Sequence, residues 1–108
     1  MTLHNDILFL AEKTSLDVGS MKNLAFELGE KEPNAFIILG SETDGKAMLL
    51  CYISKDLVAK KGLDAGKIVR ELGKYIEGSG GGQPFFATAG GKKVDGIEKA
   101  LKEAIHFI

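Results

Sequence analysis

This sequence is short of most residues that announce a chemistry. It holds one cysteine, two histidines, two prolines and no tryptophan in 108 residues. A single cysteine cannot form a disulfide scaffold. The histidines, His4 and His106, lie at opposite ends, and neither has a Cys or carboxylate at metal-ligand spacing. A zinc site takes about four such ligands, so no metal centre is expected. Long apolar runs are also missing. Residues 35–39 and 47–53 are the longest, far below the roughly 20 that span a bilayer, and no charged-then-apolar leader opens the chain. Charge of one sign is missing too: 14 Lys and Arg face 15 Asp and Glu, a net charge of −1. Together with 44% apolar residues, this excludes a disordered acidic or basic tail. The length fits one domain. A lone thiol and no leader lead us to expect a cytoplasmic setting, where cysteine stays reduced, and no membrane partner.

Catalytic motifs are equally scarce. There is no nucleophile elbow, no Gly-x-Gly-x-x-Gly opening a helix after a strand, and no Lys-Ser or Lys-Thr pair behind the glycines to make a phosphate loop. We expect no catalysis by this chain alone, hence no catalytic residues and no cofactor of its own.

What is abundant is glycine, at 14 of 108 residues, nearly double the usual share of ~7%. Six of them fall between Gly78 and Gly91. The charge is also uneven. Residues 1–45 carry three basic and eight acidic side chains (3 − 8 = −5), and residues 46–108 carry eleven and seven (11 − 7 = +4). A polyanion would prefer the second part.

Local patterns predict the elements. Ile7-Leu8-Phe9-Leu10 reads as a strand. Asp17 is placed to cap a helix bearing Val18, Met21, Leu24, Ala25 and Leu28 at helical spacing, ended by Gly29 and Pro33. Residues 35–39 and 47–53 read as strands joined by a hairpin through Asp44-Gly45, with Cys51 a small buried hydrophobe. Ser54 is read as the cap of a short helix ended by Gly62. Asp64 is read as the cap of another, whose apolar stripe runs Ile68, Val69, Leu72, Tyr75 and Ile76. Lys67, Arg70 and Lys74 recur on that helix at spacings of three and four. Residues 84–88 look extended and Gly90-Gly91 look like a break. Asp95 is read as the cap of a last helix carrying Ile97, Ala100, Leu101, Ala104 and Ile105, after which Phe107 and Ile108 dock the terminus. The sum is an α/β (α+β) fold, a mixed β-sheet packed with helices.

The glycine segment, Gly78-Ser79-Gly80-Gly81-Gly82-Gln83-Pro84, is read as a turn whose uncovered N–H groups can hold an anion or let a nucleic-acid backbone approach. A linker or a tight lead-in to a strand is the plain alternative. With Ala89-Gly90-Gly91 and the final helix, this stretch resembles the C-terminal (C-Ala, DHHA1-type) domain of alanyl-tRNA synthetase, where Gly-Gly-Gly-x-Pro is followed by Ala-Gly-Gly. The hairpin and Ser54-Lys55-Asp56-Leu57 also look like that domain, so the resemblance covers nearly the whole chain. It is similar as well to the terminal domain of DHH-type phosphoesterases, but those carry His where Gln83 stands.

The resemblance implies a single DHHA1-like domain that binds the elbow of tRNA, specific for alanine. It also implies other synthetase domains as partners, possible homodimerisation, and a parent ligase using ATP, magnesium and zinc outside this chain. The residues expected to meet RNA are Gly78, Ser79, Gly80, Gly81, Gly82, Gln83, Gly90 and Gly91. Lys67, Arg70, Lys74, Lys92 and Lys93 supply charge, with Lys60 and Lys61 nearby, and are expected on one face with the glycines. Ser79 and Gln83 are neutral where many relatives are basic, which shifts the ionic share to those lysines. Competing readings are a docking or dimerisation module and the substrate-binding domain of a phosphoesterase.

Overall fold

The computed structural model describes residues 2–108. Its strands are β1 (Thr2–His4), β2 (Ile7–Thr14), β3 (Ala35–Thr43), β4 (Lys46–Ile53), β5 (Gly78–Gln83) and β6 (Phe86–Gly91). Its helices are α1 (Val18–Gly29), α2 (Lys55–Lys61), α3 (Ala65–Leu72) and α4 (Ile97–Glu103). The strands form one sheet in the order β1-β2-β3-β4-β6-β5. Only β2 and β3 pair in parallel, and α1 is the crossover that a parallel pair requires.

Two apolar layers hold the sheet. On one face α1 sets Met21 and Ala25 against Ile37, Leu39, Leu50 and Tyr52. On the other, α3 and α4 set Ile68, Val69, Leu72, Ile97 and Leu101 against Phe36, Ile38, Leu49, Cys51 and Ile53. Residues 35–39 of β3 are therefore buried on both faces, which explains an unbroken apolar run where a half-buried strand would alternate.

Several local signals act as their chemistry dictates. The Asp17 carboxylate accepts the Ser20 N–H at 2.8 Å, and Asp64 accepts from Gly66 at 2.9 Å and Lys67 at 3.4 Å. Gly62 ends α2 in the left-handed region, φ +67°. Asp44 and Gly45 both take positive φ, +53° and +76°, as a two-residue hairpin turn of twisted strands needs.

Other expectations are corrected. Ser54 precedes α2 but its hydroxyl makes no cap bond. Its oxygen instead accepts the buried Ala35 N–H at 3.0 Å and its O–H donates to the Glu32 carbonyl at 2.8 Å, pinning β3 and the segment after α1. The helix opened by Asp64 stops at Leu72, and Tyr75 and Ile76 sit in a 3-10 turn over Gly73–Ile76. Lys74 therefore does not continue the helical ridge of Lys67 and Arg70. Asp95 lies inside a 3-10 turn, Val94–Gly96, and no side chain caps α4.

The largest correction concerns the glycines. Residues 78–83 are a strand, not a turn, and the turn is Pro84-Phe85. Gly90 and Gly91 do not break the next strand but complete it, paired with Ser79 and Gly78. Neighbouring backbones, rather than side-chain alternation, put this segment in the sheet.

Candidate nucleic-acid interface

The β5–β6 hairpin is built on backbone contact. A Cβ at Gly80 would overlap the Thr88 carbonyl and lie 2.5 Å from Ala89 Cα, and one at Gly82 would lie 2.7 Å from Ala87 Cα. Gly78 is equally closed off by Gly90 and Gly91. Above them lie two glycines of the helix layer: a Cβ at Gly66 would stand 2.9 Å from the Gly82 carbonyl oxygen and one at Gly73 would stand 3.4 Å from that of Gly78. Alternate glycines of β5 are therefore steric requirements of the fold. Gly81 is different. A Cβ there meets nothing within 4 Å, and its φ is not among the positive ones. The fold accepts a side chain at Gly81.

Strand alternation divides the hairpin. Gly78, Gly80 and Gly82 face α3 together with Ala87 and Ala89 of β6, which lie in the α3–α4 core. Ser79, Gly81 and Gln83 face the opposite side with Gly90, Thr88 and Phe86. Ser79, Gln83 and Gly90 are exposed, and Gly81, Thr88 and Phe86 are half-buried. β5 lies at the sheet edge, so the glycine segment is accessible, as a contact surface requires.

The cations expected around it sit at opposite ends of the hairpin. Lys67 and Arg70 are exposed on α3 while Gly66, Ile68 and Val69 of the same helix turn to the sheet. Arg70 Nε donates back to the Gly66 carbonyl at 3.2 Å. The α3 start lies at the hairpin tip, where Ala65 N–H donates to the Pro84 carbonyl at 2.8 Å. Lys92 and Lys93 follow the other end of the hairpin, where Lys93 N–H donates to Ile76 at 2.9 Å. Five steps of strand, roughly 17 Å at ~3.3 Å each, separate the ends. Lys74 pairs with Glu71 at 3.1 Å and Lys92 with Glu77 at 3.9 Å, all largely exposed. Lys92 and Lys93 line a cavity of about 760 Å³ with Lys13 but also with Glu77, Asp95 and Glu98. The structure thus brings the glycines together and splits the predicted lysines between the two ends.

Around Phe85 and Phe86, which the sequence marks as residues for base stacking or for the core, the structure gathers side chains that sequence reasoning did not bring together. Phe86 packs against Phe26 of α1, ring centroids 5.3 Å apart, and Phe26 meets Tyr52 edge-on at 5.0 Å. Lys22 Nζ lies 5.5 Å from the Phe86 ring centroid and Lys55 Nζ 5.2 Å from that of Phe85. Burial and the nearby Glu30 raise the Tyr52 phenol above its ordinary pKa. The helical spacing of Lys22 and Phe26 was the available signal, but Phe86 is brought to them only by the sheet order.

Among the described residues no three His, Cys, Asp or Glu side chains group to hold a metal ion, and no helix is long and apolar enough to cross a membrane.

A mixed sheet with one helix on one face, α3 and α4 on the other, and a glycine hairpin at its edge defines the class. Residues 5–108 match the DHHA1 domain, and the chain belongs to that family. Its relatives point to one enzyme. The chain is 60% identical over 104 residues to alanine--tRNA ligase of Christiangramia forsetii and 50% identical to that of Flavobacterium psychrophilum, in each case across 96% of this chain and 12% of the relative. In structure it is similar to the C-Ala domain from Aquifex aeolicus alanyl-tRNA synthetase, with a TM-score of 0.83, 26% identity, and coverage of 99% of this chain and 97% of that one. The chain spans about 12% of the length of these two curated relatives.

Proposed function

We propose that this chain is the non-catalytic, tRNA-binding C-terminal module of an alanyl-tRNA synthetase, working in the cytoplasm and recognising the elbow of alanine tRNA. On this reading the ligase reaction and its ATP, magnesium and zinc belong to other domains of the parent enzyme. The module holds the tRNA those domains act on and needs no cofactor of its own. The observation that carries the reading is the accessible glycine strand β5 in a fold similar to C-Ala. A strand without side chains lets a folded RNA come close to protein backbone, and shape and 2′-hydroxyl contacts of that kind are how proteins read structured RNA. The phosphoesterase reading is disfavoured by Gln83-Pro84 where that family carries His.

With a net charge of −1 and few phosphate contacts, binding by this chain alone is weak, on the order of micromolar. Linkage to the rest of the enzyme strengthens it through effective concentration. Titrating an alanine tRNA transcript with the chain at low and at high salt tests this. Binding that falls by about 0.7 to 0.9 log units per contact for each log unit of salt is expected. No binding at low salt refutes the reading.

A further inference from the structure

A cavity of about 520 Å³ opens where α1 ends, beside the close of β4 and the Pro84-Phe85 turn. Tyr52 lines it, only 8% exposed, with half-buried Phe26 and Phe85 as further aromatic walls. Backbone contacts fix these positions. Ile53 N–H donates to the Phe85 carbonyl at 2.9 Å. Gly29 leaves its side-chain space to Tyr52: a Cβ there would overlap the ring and stand 2.7 Å from Cζ, the carbon that bears the hydroxyl. The phenol is thus held against the last turn of α1. A buried tyrosine hydroxyl usually finds a partner, yet among the described residues this one makes no hydrogen bond.

The rim is acidic where local physics asks for the reverse. The C-terminal end of a helix carries partial negative charge and favours a cation. α1 has no basic residue in its last turn and ends on Glu30. Glu32 and Asp56 line the same cavity, and none of these three carboxylates belongs to an ion pair among the described residues. Two lysines also line it. Lys31 is exposed, and Lys55 Nζ stands over the Phe85 ring, 5.2 Å from its centroid, rather than on a carboxylate. Glu30 is close enough to raise the pKa of the Tyr52 phenol, so the hydroxyl stays protonated at neutral pH and its oxygen is free to accept. A local rule broken without an evident gain in the fold marks a position kept for function.

We infer that this cavity takes an arginine side chain presented by a protein segment. A guanidinium is permanently charged, stacks on aromatic rings and donates in its plane to oxygen acceptors. Here it lies against Tyr52 and Phe26, whose rings meet edge-on at 5.0 Å. It donates to the Glu30 carboxylate and the Tyr52 oxygen and offsets the negative end of α1. A metal ion is a poor occupant, because among the described residues no three His, Cys, Asp or Glu side chains group to hold one. The inference rests on the chain being one module of a larger synthetase, whose other domains supply such segments; the tRNA titration above tests the tRNA-binding reading separately.

The test is an NMR titration of the full chain with a capped Gly-Arg-Gly tripeptide, read on the ring signals of Tyr52, with Tyr75, the other tyrosine, as the reference. Saturable shifts at Tyr52 alone are expected, with a Kd on the order of millimolar for a single side chain. The same peptide with citrulline in place of arginine keeps the shape without the charge and should bind at least about tenfold more weakly. Tyr52→Phe and Glu30→Gln should each weaken arginine binding about tenfold, the loss of one hydrogen bond to a charged group. Neither should lower the melting temperature, because Tyr52→Phe breaks no internal hydrogen bond and Glu30→Gln takes a negative charge off the negative end of α1. A merely structural role would lower melting instead. Glu98→Gln, at the cavity beside Lys92 and Lys93, should leave binding unchanged. No saturable shift, equal shifts at Tyr52 and Tyr75, equal binding of the arginine and citrulline peptides, or wild-type binding by the Tyr52 and Glu30 variants overturns the inference. So does a Tyr52 signal that answers to inorganic phosphate or a tRNA transcript and not to the arginine peptide, which would give the cavity to Lys31 and Lys55.

Discussion

Two adjacent glycines of β5 should respond to the same substitution with opposite sign. At Gly80 a methyl group would overlap the Thr88 carbonyl and lie 2.5 Å from Ala89 Cα, against an optimal carbon separation of about 3.5–4.0 Å. The obstacle is backbone of the paired strand, so relief means moving β6 away, and forcing extra atoms into such a site costs about 1–3 kcal/mol. At Gly81 nothing lies within 4 Å, and an L-residue can take its backbone conformation. Replacing glycine there stabilises by about 0.4–1 kcal/mol, because the unfolded chain loses freedom. For a domain of this size 1 kcal/mol moves the melting temperature by roughly 4–8 °C. Gly80→Ala should then melt roughly 4–24 °C lower and Gly81→Ala up to roughly 8 °C higher. Calorimetry or circular dichroism melts of the two variants beside the wild type decide it. Equal shifts of the same sign would refute the claim that β5 alternates between a closed and an open side.

Three more predictions follow from single side chains. Ser54→Ala removes the acceptor of the buried Ala35 N–H and should cost about 1–3 kcal/mol in urea unfolding; a change within error would show that another group takes over that proton. Burial raises the Cys51 thiol far above its ordinary pKa, so a thiol reagent at neutral pH should react only after denaturant is added, and prompt reaction of the native chain would contradict its position in the core. The Ser20 backbone hydrogen bond holds the Asp17 carboxyl below its ordinary pKa of 3.8. The stability it contributes is therefore present above that value and lost as pH falls through the lower folded one. Asp17→Ala should flatten that part of the acid arm of a stability–pH curve, and an unchanged acid arm would remove Asp17 from the account.

What the sequence disclosed is what short-range chemistry controls. Asp17, Asp64, Asp44-Gly45 and Gly62 each act through groups within a few residues, so their turns and caps could be read directly. The parallel pairing of β2 with β3, and the placing of β6 between β4 and β5, depend on contacts across the chain and left no local mark. β5 was hidden for a sharper reason. Alternation is read from side chains, and four of its six residues have none, so only the approach of Gly66, Gly73 and β6 reveals it as a strand. Ser54 was misassigned because capping and long-range bonding use the same hydroxyl. At the candidate site the glycines were legible as a group. Their division into three that the fold demands and one that it does not was invisible, as was Lys22, which counts among the acidic first part of the chain until the sheet carries Phe86 to it.

The joint between α3 and the hairpin, glycine laid on glycine, has a mechanical consequence. Elsewhere in the core, layers meet through side chains that can change rotamer and absorb a displacement. Gly66 against Gly82 leaves no such cushion, so a displacement of the hairpin tip presses directly on the backbone at the start of α3. A load applied at the edge of the sheet is handed straight to α3 and the layer it anchors.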